Sequence, residues 1–207
     1  MIFGRNARNP SPLGRTVEPM ELPRPRRLSA ARLAVVAATL DHIHAELESP
    51  ERLAALLQAD IEAGWPPGEY DRGAQEFFRD RLREGGPETV GWYTWYAIRR
   101  GGPQRVLVGA AGFLGPPSEE GDAEIGFSIM PAWRGQGYAT ELVGMLLTWA
   151  FDDPRVRRIL AHTTPQNAAS CRVLEKSGFH LAGRVGESQT IRFELSRPPS
   201  SARPHST

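Results

Sequence analysis

The clearest hydrophobic pattern in the chain lies between residues 123 and 150. Residues 123–129 contain β-branched and aromatic residues and no proline, which predicts a strand. Pro131 has no N–H group to donate and therefore ends the strand. Beyond a short turn, apolar residues recur with the 3.6-residue period of a helix, at Ala139, Leu142, Val143, Leu146, Trp149 and Ala150. A strand, a turn and a helix thus follow one another directly.

The same alternation of polar and hydrophobic positions predicts the other elements. Before the central strand come, in chain order, a strand, two or three helices and two further strands joined by short turns; the strands are residues 32–38, 89–99 and 105–114. After the central helix come a strand, a helix and two closing strands, at residues 158–164, 167–177, 179–185 and 190–195. Because a helix crosses over between them, the strands at 123–129 and 158–164 are expected to be parallel.

These elements define a fold class. The expectation is an α/β fold of the α+β type, with a mixed, mostly antiparallel central sheet of six or seven strands flanked by four or five helices. Short turns join the strands before the central helix, which is typical of an antiparallel meander.

Composition changes this picture mainly at the two ends. A chain of 207 residues with 40% hydrophobic content can bury one core, which we place in a single domain over residues 28–196. Residues 1–27 are rich in arginine and proline and residues 197–207 in proline and serine, so both segments are expected to be disordered. A nucleic-acid-binding arm is the alternative for residues 1–27.

Charge and cysteine content limit the classes of function. The formal net charge is +1, so no strong field attracts nucleic acid or an anionic membrane. The single cysteine excludes an internal disulfide and suits a reducing compartment. No apolar run approaches the roughly 18 residues needed to span a bilayer, and the first residues lack an apolar signal-peptide core. A cytoplasmic location is therefore expected, without a membrane partner.

The turn at residues 134–139 is the best candidate for chemistry, and it reads Arg-Gly-Gln-Gly-Tyr-Ala. The first turn of a helix offers N–H groups without partners, the helix dipole adds positive charge there, and glycines let the main chain approach a phosphate. No lysine follows the glycines as in a P-loop, and no G-x-G-x-x-G follows a first strand. We therefore expect a diphosphate other than that of a nucleoside triphosphate or a dinucleotide.

These six residues fit the motif Arg/Gln-x-x-Gly-x-Gly/Ala. Together with the strand EIGFSI before them and the segment NAASCRVLEKSGF (Asn167 to Phe179) after them, they resemble the acetyl-CoA-binding core of the GCN5-related N-acetyltransferase (GNAT) superfamily. The branch that includes ribosomal-protein N-terminal acetyltransferases is the most similar. The resemblance covers roughly residues 121–185. It implies transfer of an acetyl group from acetyl-CoA to a primary amine, of a peptide N-terminus or a small molecule, by direct attack in a ternary complex.

The resemblance also implies how the cofactor is held. In this superfamily the sheet splays at one parallel pair, and the pantetheine arm pairs with the opened edge, which here means the main chain of Phe127 and Ile129. Asn167 has two compatible roles, a hydrogen bond to pantetheine and the N-cap of the next helix. The residues expected around the diphosphate are Arg134, Gly135, Gln136, Gly137, Tyr138, Ala139 and Thr140.

Two residues are candidates for proton transfer. An amine is mostly protonated at neutral pH and must lose a proton before it attacks. Glu124 lies on the central strand where several relatives carry a base that acts directly or through water; its alternative is an edge carboxylate paired with arginine. Many relatives carry an acidic tyrosine where this chain has Leu174. Ser170 is the alternative seen in the ribosomal-protein branch, and it either donates a proton or only positions the CoA sulfur.

Aromatic residues are the candidates for the site that binds the acceptor amine. In the superfamily, the segment between the first two helices and the aromatic strand walls the acceptor site, so Trp65, Tyr70 and Trp95 are substrate-binding candidates, with core packing as the alternative. His162 is expected to be a core or surface histidine rather than a catalyst. No metal site is expected, because no histidine has other potential metal ligands near it in the sequence. The sequence leaves open monomer or homodimer, and a non-catalytic acyl-CoA-binding module as the rival function.

Overall fold

In the part of the chain that the computed structural model describes, the central sheet has eight strands in the order β1-β2-β3-β4-β5-β6-β8-β7. The structure describes residues 26–185 and 189–199. The strands are β1 (Arg27–Ser29), β2 (Leu33–Ala37), β3 (Thr94–Arg99), β4 (Val106–Phe113), β5 (Asp122–Ile129), β6 (Arg158–Thr163), β7 (His180–Arg184) and β8 (Ile191–Ser196). Among these strands of the described residues, only β5 and β6 pair in parallel; the other neighbours are antiparallel.

Five α-helices flank this sheet in the described residues. They are α1 (Leu40–Glu48), α2 (Pro50–Leu57), α3 (Arg72–Gly85), α4 (Tyr138–Phe151) and α5 (Ala168–Lys176). The side chains of Thr39, Ser49 and Asp71 cap the first three helices, each by accepting a hydrogen bond from a main-chain N–H of the first turn. None of these helices is long and apolar enough to cross a bilayer.

The sheet has one strand more than the sequence indicated. Strand β1 has only three residues, too few to show a hydrophobic period, and pairing with β2 holds it in place. The predicted strand at 89–99 begins later, because a 3₁₀ turn over Gly86–Thr89 and the positive φ of Gly91 (99°) precede it. Order also continues past residue 196, since the Arg197 N–H donates to the Arg157 carbonyl at 2.8 Å. Arg27 belongs to β1 and so lies one residue before the predicted start of the domain, whereas residues 1–25 and 200–207 of the predicted tails lie outside the described residues.

Neighbouring residues of β3 show which helices cover each face of the sheet. The Tyr96 hydroxyl reaches Glu46 on α1, whereas Trp95 packs edge-on against Trp149 on α4, with ring centroids 5.2 Å apart. Side chains alternate across a strand, so α1 and α4 lie on opposite faces. Through the cross-strand pairs Thr94↔Gly112 and Gly112↔Gly126, the α1 face continues onto even-numbered residues of β5.

The parallel pair separates early. Pairing between β5 and β6 is confined to residues 122–124 against 158–160, although both strands continue beyond it. The rest of β5 pairs only with β4 on its other side. The sheet is therefore splayed at its single parallel pair, which opens a wedge between β5 and β6 and leads to the site described next.

Candidate active site

The turn before α4 presents main chain without side chains. Gly135 and Gly137 have φ values of 75° and 83°, a region that residues with a Cβ rarely adopt. Gly137 is the N-cap of α4, and no side chain caps that helix within the described residues. An added Cβ at Gly135 would meet nothing within 4 Å. The first N–H groups of α4 are therefore left for a ligand.

Arg32 fixes the glycine turn from behind. Its guanidinium donates to the Gln136 carbonyl at 2.8 Å, pairs with Glu141 on α4 at 2.7 Å and lies 4.8 Å from the ring centroid of Tyr138. The Gln136 side chain donates to the Ala132 carbonyl at 3.2 Å. Gln136 does not line the cavity in front of the turn, unlike the other predicted turn residues from 134 to 140.

The cavity in front of the turn has a volume of about 510 Å³ and a cationic lining. Arg134, Arg172 and Lys176 lie in its wall, and Lys176 is the only lysine of the sequence. Glu69 is the only acidic residue among the described lining residues. An uncapped helix start and three cations favour an anionic ligand here.

An open strand edge forms the inner wall of this first cavity. The Leu114 N–H donates to the Glu124 carbonyl and the Met130 N–H to the Val108 carbonyl, both at 2.9 Å, so even-numbered residues of this stretch bond to β4. The main chain of Phe127 and Ile129 consequently faces the wedge. Arg134 Nε donates to the Ile129 carbonyl at 2.9 Å. The N–H and C=O of Phe127 and the N–H of Ile129 have no hydrogen-bond partner among the described residues.

The start of α5 forms another side of the first cavity. Asn167 Oδ1 accepts from the Ser170 N–H at 3.1 Å, so its side chain caps the helix while the residue also lines the cavity. The Ser170 hydroxyl makes no hydrogen bond within the described residues. Leu174 is 1% exposed and belongs to the core.

A second cavity of about 230 Å³ adjoins the first on the α1 face of the sheet. Both cavities are lined by Glu69, Phe127 and Ser128, so they meet over the end of β5. Gly126 lies in the floor, where an added Cβ would meet nothing within 4 Å.

Glu124 and His162 contact each other in this second cavity. His162 Nδ1 lies 2.8 Å from Glu124 Oε1, and the side chains are 28% and 33% exposed. The sequence did not indicate this pair, since His162 was expected to be a core or surface residue. The parallel pairing predicted for the two strands is the one sequence feature that could have suggested the contact. Whether Glu124 and His162 meet, however, depends on the point at which the strands diverge, which the sequence does not give.

Glu46 anchors the loop that borders both cavities. Its carboxylate accepts from Trp65 Nε1 at 2.7 Å, from the Tyr70 hydroxyl at 2.8 Å and from the Tyr96 hydroxyl at 2.6 Å. Burial raises the pKa of Glu46, although the hydrogen bonds from these partners act in the opposite direction. Burial is also the main cause that raises the pKa of Tyr70 and Tyr96 well above the usual value. The network fixes the loop at Trp65 and Tyr70, and Gly68 and Glu69 lie between them.

The three aromatic residues expected to bind substrate lie in different parts of the structure. Tyr70 lines the second cavity, whereas Trp65 lies behind it in the Glu46 network. Trp95 is fully buried on the opposite face of the sheet, where its indole N–H donates to the Gly91 carbonyl at 2.8 Å. The assignment of Trp95 to the substrate site is thus corrected: strand alternation directs it into the core beneath α4.

No group of three or more metal-ligating side chains occurs among residues 26–185 and 189–199.

Comparison with known proteins places the chain in a family. The family model described as the acetyltransferase (GNAT) domain matches residues 35–180. The uncharacterized N-acetyltransferase YjdG of Bacillus subtilis (strain 168) is 32% identical over 123 residues, which make up 59% of this chain and 71% of that protein.

Solved structures with the same fold share less of the sequence. The ribosomal-protein-S5-alanine acetyltransferase from Vibrio fischeri superposes with a TM-score of 0.58 at 16% identity, over 83% of this chain and 97% of that one. The microcin C7 self-immunity acetyltransferase MccE, in complex with acetyl-CoA and AMP, superposes with a TM-score of 0.55 at 12% identity, over 81% and 93%. At these identities the likeness establishes the fold.

Proposed function

The chain belongs to the GNAT family of acetyltransferases, and from this premise we propose that it transfers an acetyl group from acetyl-CoA to a primary amine by direct attack in a ternary complex. The observation that carries the proposal is the meeting of two cavities at Phe127 and Ser128. One cavity has the cationic, glycine-lined wall that suits a diphosphate, and the other holds a carboxylate that suits an amine.

The first cavity fits coenzyme A in three ways. Side-chain-free main chain at Gly135 and Gly137 and the uncapped start of α4 match the diphosphate. The open main-chain groups of Phe127 and Ile129 match the amides of the pantetheine arm. Arg134, Arg172 and Lys176 supply the compensating charge, and Tyr138, Ala139, Thr140 and Asn167 complete the wall. Acetyl-CoA supplies the acyl group as a thioester.

Glu124 and Ser170 have separate roles in this proposal. Glu124 lies in the second cavity, where its carboxylate takes part in removing the proton of the bound ammonium. Ser170 lies in the first cavity, where its hydroxyl has no partner among the described residues, and it positions the thioester sulfur or donates a proton to it. Tyr70 and Glu69 wall the acceptor side.

The acceptor amine belongs either to a peptide N-terminus or to a small molecule. The Vibrio fischeri neighbour is described as acting on an alanine of ribosomal protein S5, which is a peptide substrate. The second cavity, at about 230 Å³, has room for a small amine or for the first residues of a peptide whose remainder leaves through the opening. Both acceptor types are kept as candidates.

A non-catalytic acyl-CoA-binding module is the second candidate, and the buried Leu174 in place of the usual tyrosine favours it. One assay separates the two. Purified chain is incubated with acetyl-CoA and a panel of small amines, aminoglycosides and N-terminal peptides, and thiol release is followed. We expect release above the hydrolysis background with at least one amine, and its loss in Glu124→Gln with acetyl-CoA binding retained. Binding without thiol release for every amine would contradict the enzyme and favour the module.

A further inference from the structure

His162 lies at the point where the two parallel strands separate. Pairing between β5 and β6 ends at Glu124↔Leu160, and His162 follows two residues later on the same face of β6. Its imidazole crosses the widening gap and contacts Glu124 through Nδ1 at 2.8 Å. Both side chains line the second cavity, next to the junction with the first.

The chemistry of the two groups determines where the shared proton lies. An ionised carboxylate can only accept a hydrogen bond, so Nδ1 carries the proton and donates it to Glu124. In the neutral ring the other nitrogen, Nε2, is then an acceptor. It has no hydrogen-bond partner in the part of the chain that the structure describes. The cavity wall contains no lysine or arginine there, and its other charged residue is Glu69.

We propose that His162 and Glu124 act together as the base, with His162 Nε2 accepting the proton of the substrate ammonium and Glu124 orienting the ring. This proposal rests on the acetyl transfer proposed above and refines the role of Glu124 within it. The carboxylate fixes the tautomer that leaves Nε2 free and stabilises the imidazolium that forms. His162 is thereby a catalytic residue, and Glu124 is its positioning partner.

The proton inventory of the step balances. Nε2 takes one proton from the ammonium, and the freed amine nitrogen attacks the thioester carbonyl, so that a C–N bond forms. As the C–S bond breaks, the nitrogen gives up its second proton and the leaving thiolate takes up one proton. The imidazolium returns its proton to solvent, to which the 28% exposed side chain has access. The products are the amide, the free thiol and one proton.

The test uses the full chain and the best acceptor found in the amine panel. In His162→Ala we expect kcat to fall by about 100-fold or more, which is typical of a lost general base. The affinity for acetyl-CoA should stay within about twofold, because His162 does not line the first cavity. Added imidazole should raise the rate of His162→Ala by at least about tenfold, since it can occupy the space left by the ring.

Two further variants separate catalysis from structure. In His162→Gln the amide can still donate to Glu124 but cannot take up a proton, so it should be as slow as His162→Ala. His180→Ala, which removes an exposed histidine of β7 outside both cavities, should behave like the wild type and not respond to imidazole.

The outcomes distinguish this proposal from the one on which it rests. Activity of His162→Ala within about threefold of the wild type, restoration by glutamine, or loss without imidazole rescue overturns the base pair while acetyl transfer stands. A wild-type chain that releases no thiol with any amine overturns acetyl transfer and the base pair together.

Discussion

Arg158 holds Asp122 through two parallel hydrogen bonds, Nε to Oδ1 at 2.9 Å and Nη2 to Oδ2 at 2.6 Å. The two residues face each other at the first of the three parallel pairs of β5 and β6. A third bond, from Arg158 Nη1 to Glu194 at 3.2 Å, extends the contact to β8. The strands are thus clamped at one end and separated at the other, where the two cavities meet.

Asp122→Asn tests this clamp. The amide keeps the shape but loses the charge and one acceptor oxygen of the bidentate pair. We expect the free energy of unfolding to fall by about 1 kcal/mol, a modest value because solvent partly screens the pair. Denaturant unfolding measures it. The matched control is Glu76→Gln, whose partner Arg72 lies on the exposed face of α3 and whose effect should stay within about 0.5 kcal/mol. Equal effects of both variants would speak against the clamp.

The same pair predicts a pH dependence of stability. The hydrogen bonds from Arg158 lower the pKa of Asp122 below its ordinary value of 3.8. The unfolded chain then binds more protons than the folded chain in this range, so the contribution of Asp122 is present above that value and is lost as the pH falls through the folded pKa. The stability difference between wild type and Asp122→Asn should therefore be largest at neutral pH and shrink below pH 3.8. A difference independent of pH contradicts the assignment.

Substitution of Gly126 can fill the second cavity, the proposed site of the acceptor amine, without disturbing the fold. A Cβ there meets nothing within 4 Å, the residue lies in a strand, and valine suits a strand. In the series Gly126→Ala and Gly126→Val, we expect the KM for the amine to rise progressively, by about tenfold or more for valine, with acetyl-CoA affinity unchanged.

The control for Gly126→Ala is Gly144→Ala on α4, where the same methyl group also meets nothing within 4 Å. It should leave the KM for the amine unchanged and, if anything, stabilise the helix. Steady-state kinetics with varied amine at saturating acetyl-CoA measure both. If Gly126→Val left the KM unchanged, the amine would have to bind elsewhere.

Lys176 tests the cationic wall of the first cavity. In Lys176→Gln we expect the Kd for acetyl-CoA to rise by about three- to tenfold, since an exposed charge near phosphate contributes modestly, and the loss should diminish at high salt. Titration calorimetry at two salt concentrations measures it. Arg72→Gln removes the same charge from α3, outside both cavities, and should leave the Kd unchanged. A similar Kd for wild type and Lys176→Gln would remove Lys176 from the proposed site.

Local features of the sequence predicted the geometry of the glycine turn and of the start of α5 well. Two glycines after a strand that ends at a proline specify the turn before α4, and the positive φ values of Gly135 and Gly137 confirm the demand for glycine. The cap at Asn167 likewise follows from its own segment. These features depend on neighbours within a few residues of the chain, so a sequence pattern is sufficient for them.

Features that depend on distant residues were predicted less well. Trp95 and Tyr96 are adjacent and both aromatic, yet only the sheet register decides that one faces α4 and the other α1. The contact between Glu124 and His162 joins residues 38 positions apart across strands that diverge. No local pattern reports the point of divergence, which is why the sequence did not predict this contact.

The most direct test of the central claim compares two thioesters by titration calorimetry. The claim is that main-chain donors at the start of α4 bind the diphosphate of coenzyme A. We expect one acetyl-CoA per chain, and at least about 100-fold weaker binding of S-acetylpantetheine, which lacks the diphosphate together with the adenosine and its 3′-phosphate. Equal affinities for the two thioesters, or no heat with acetyl-CoA, would contradict the claim.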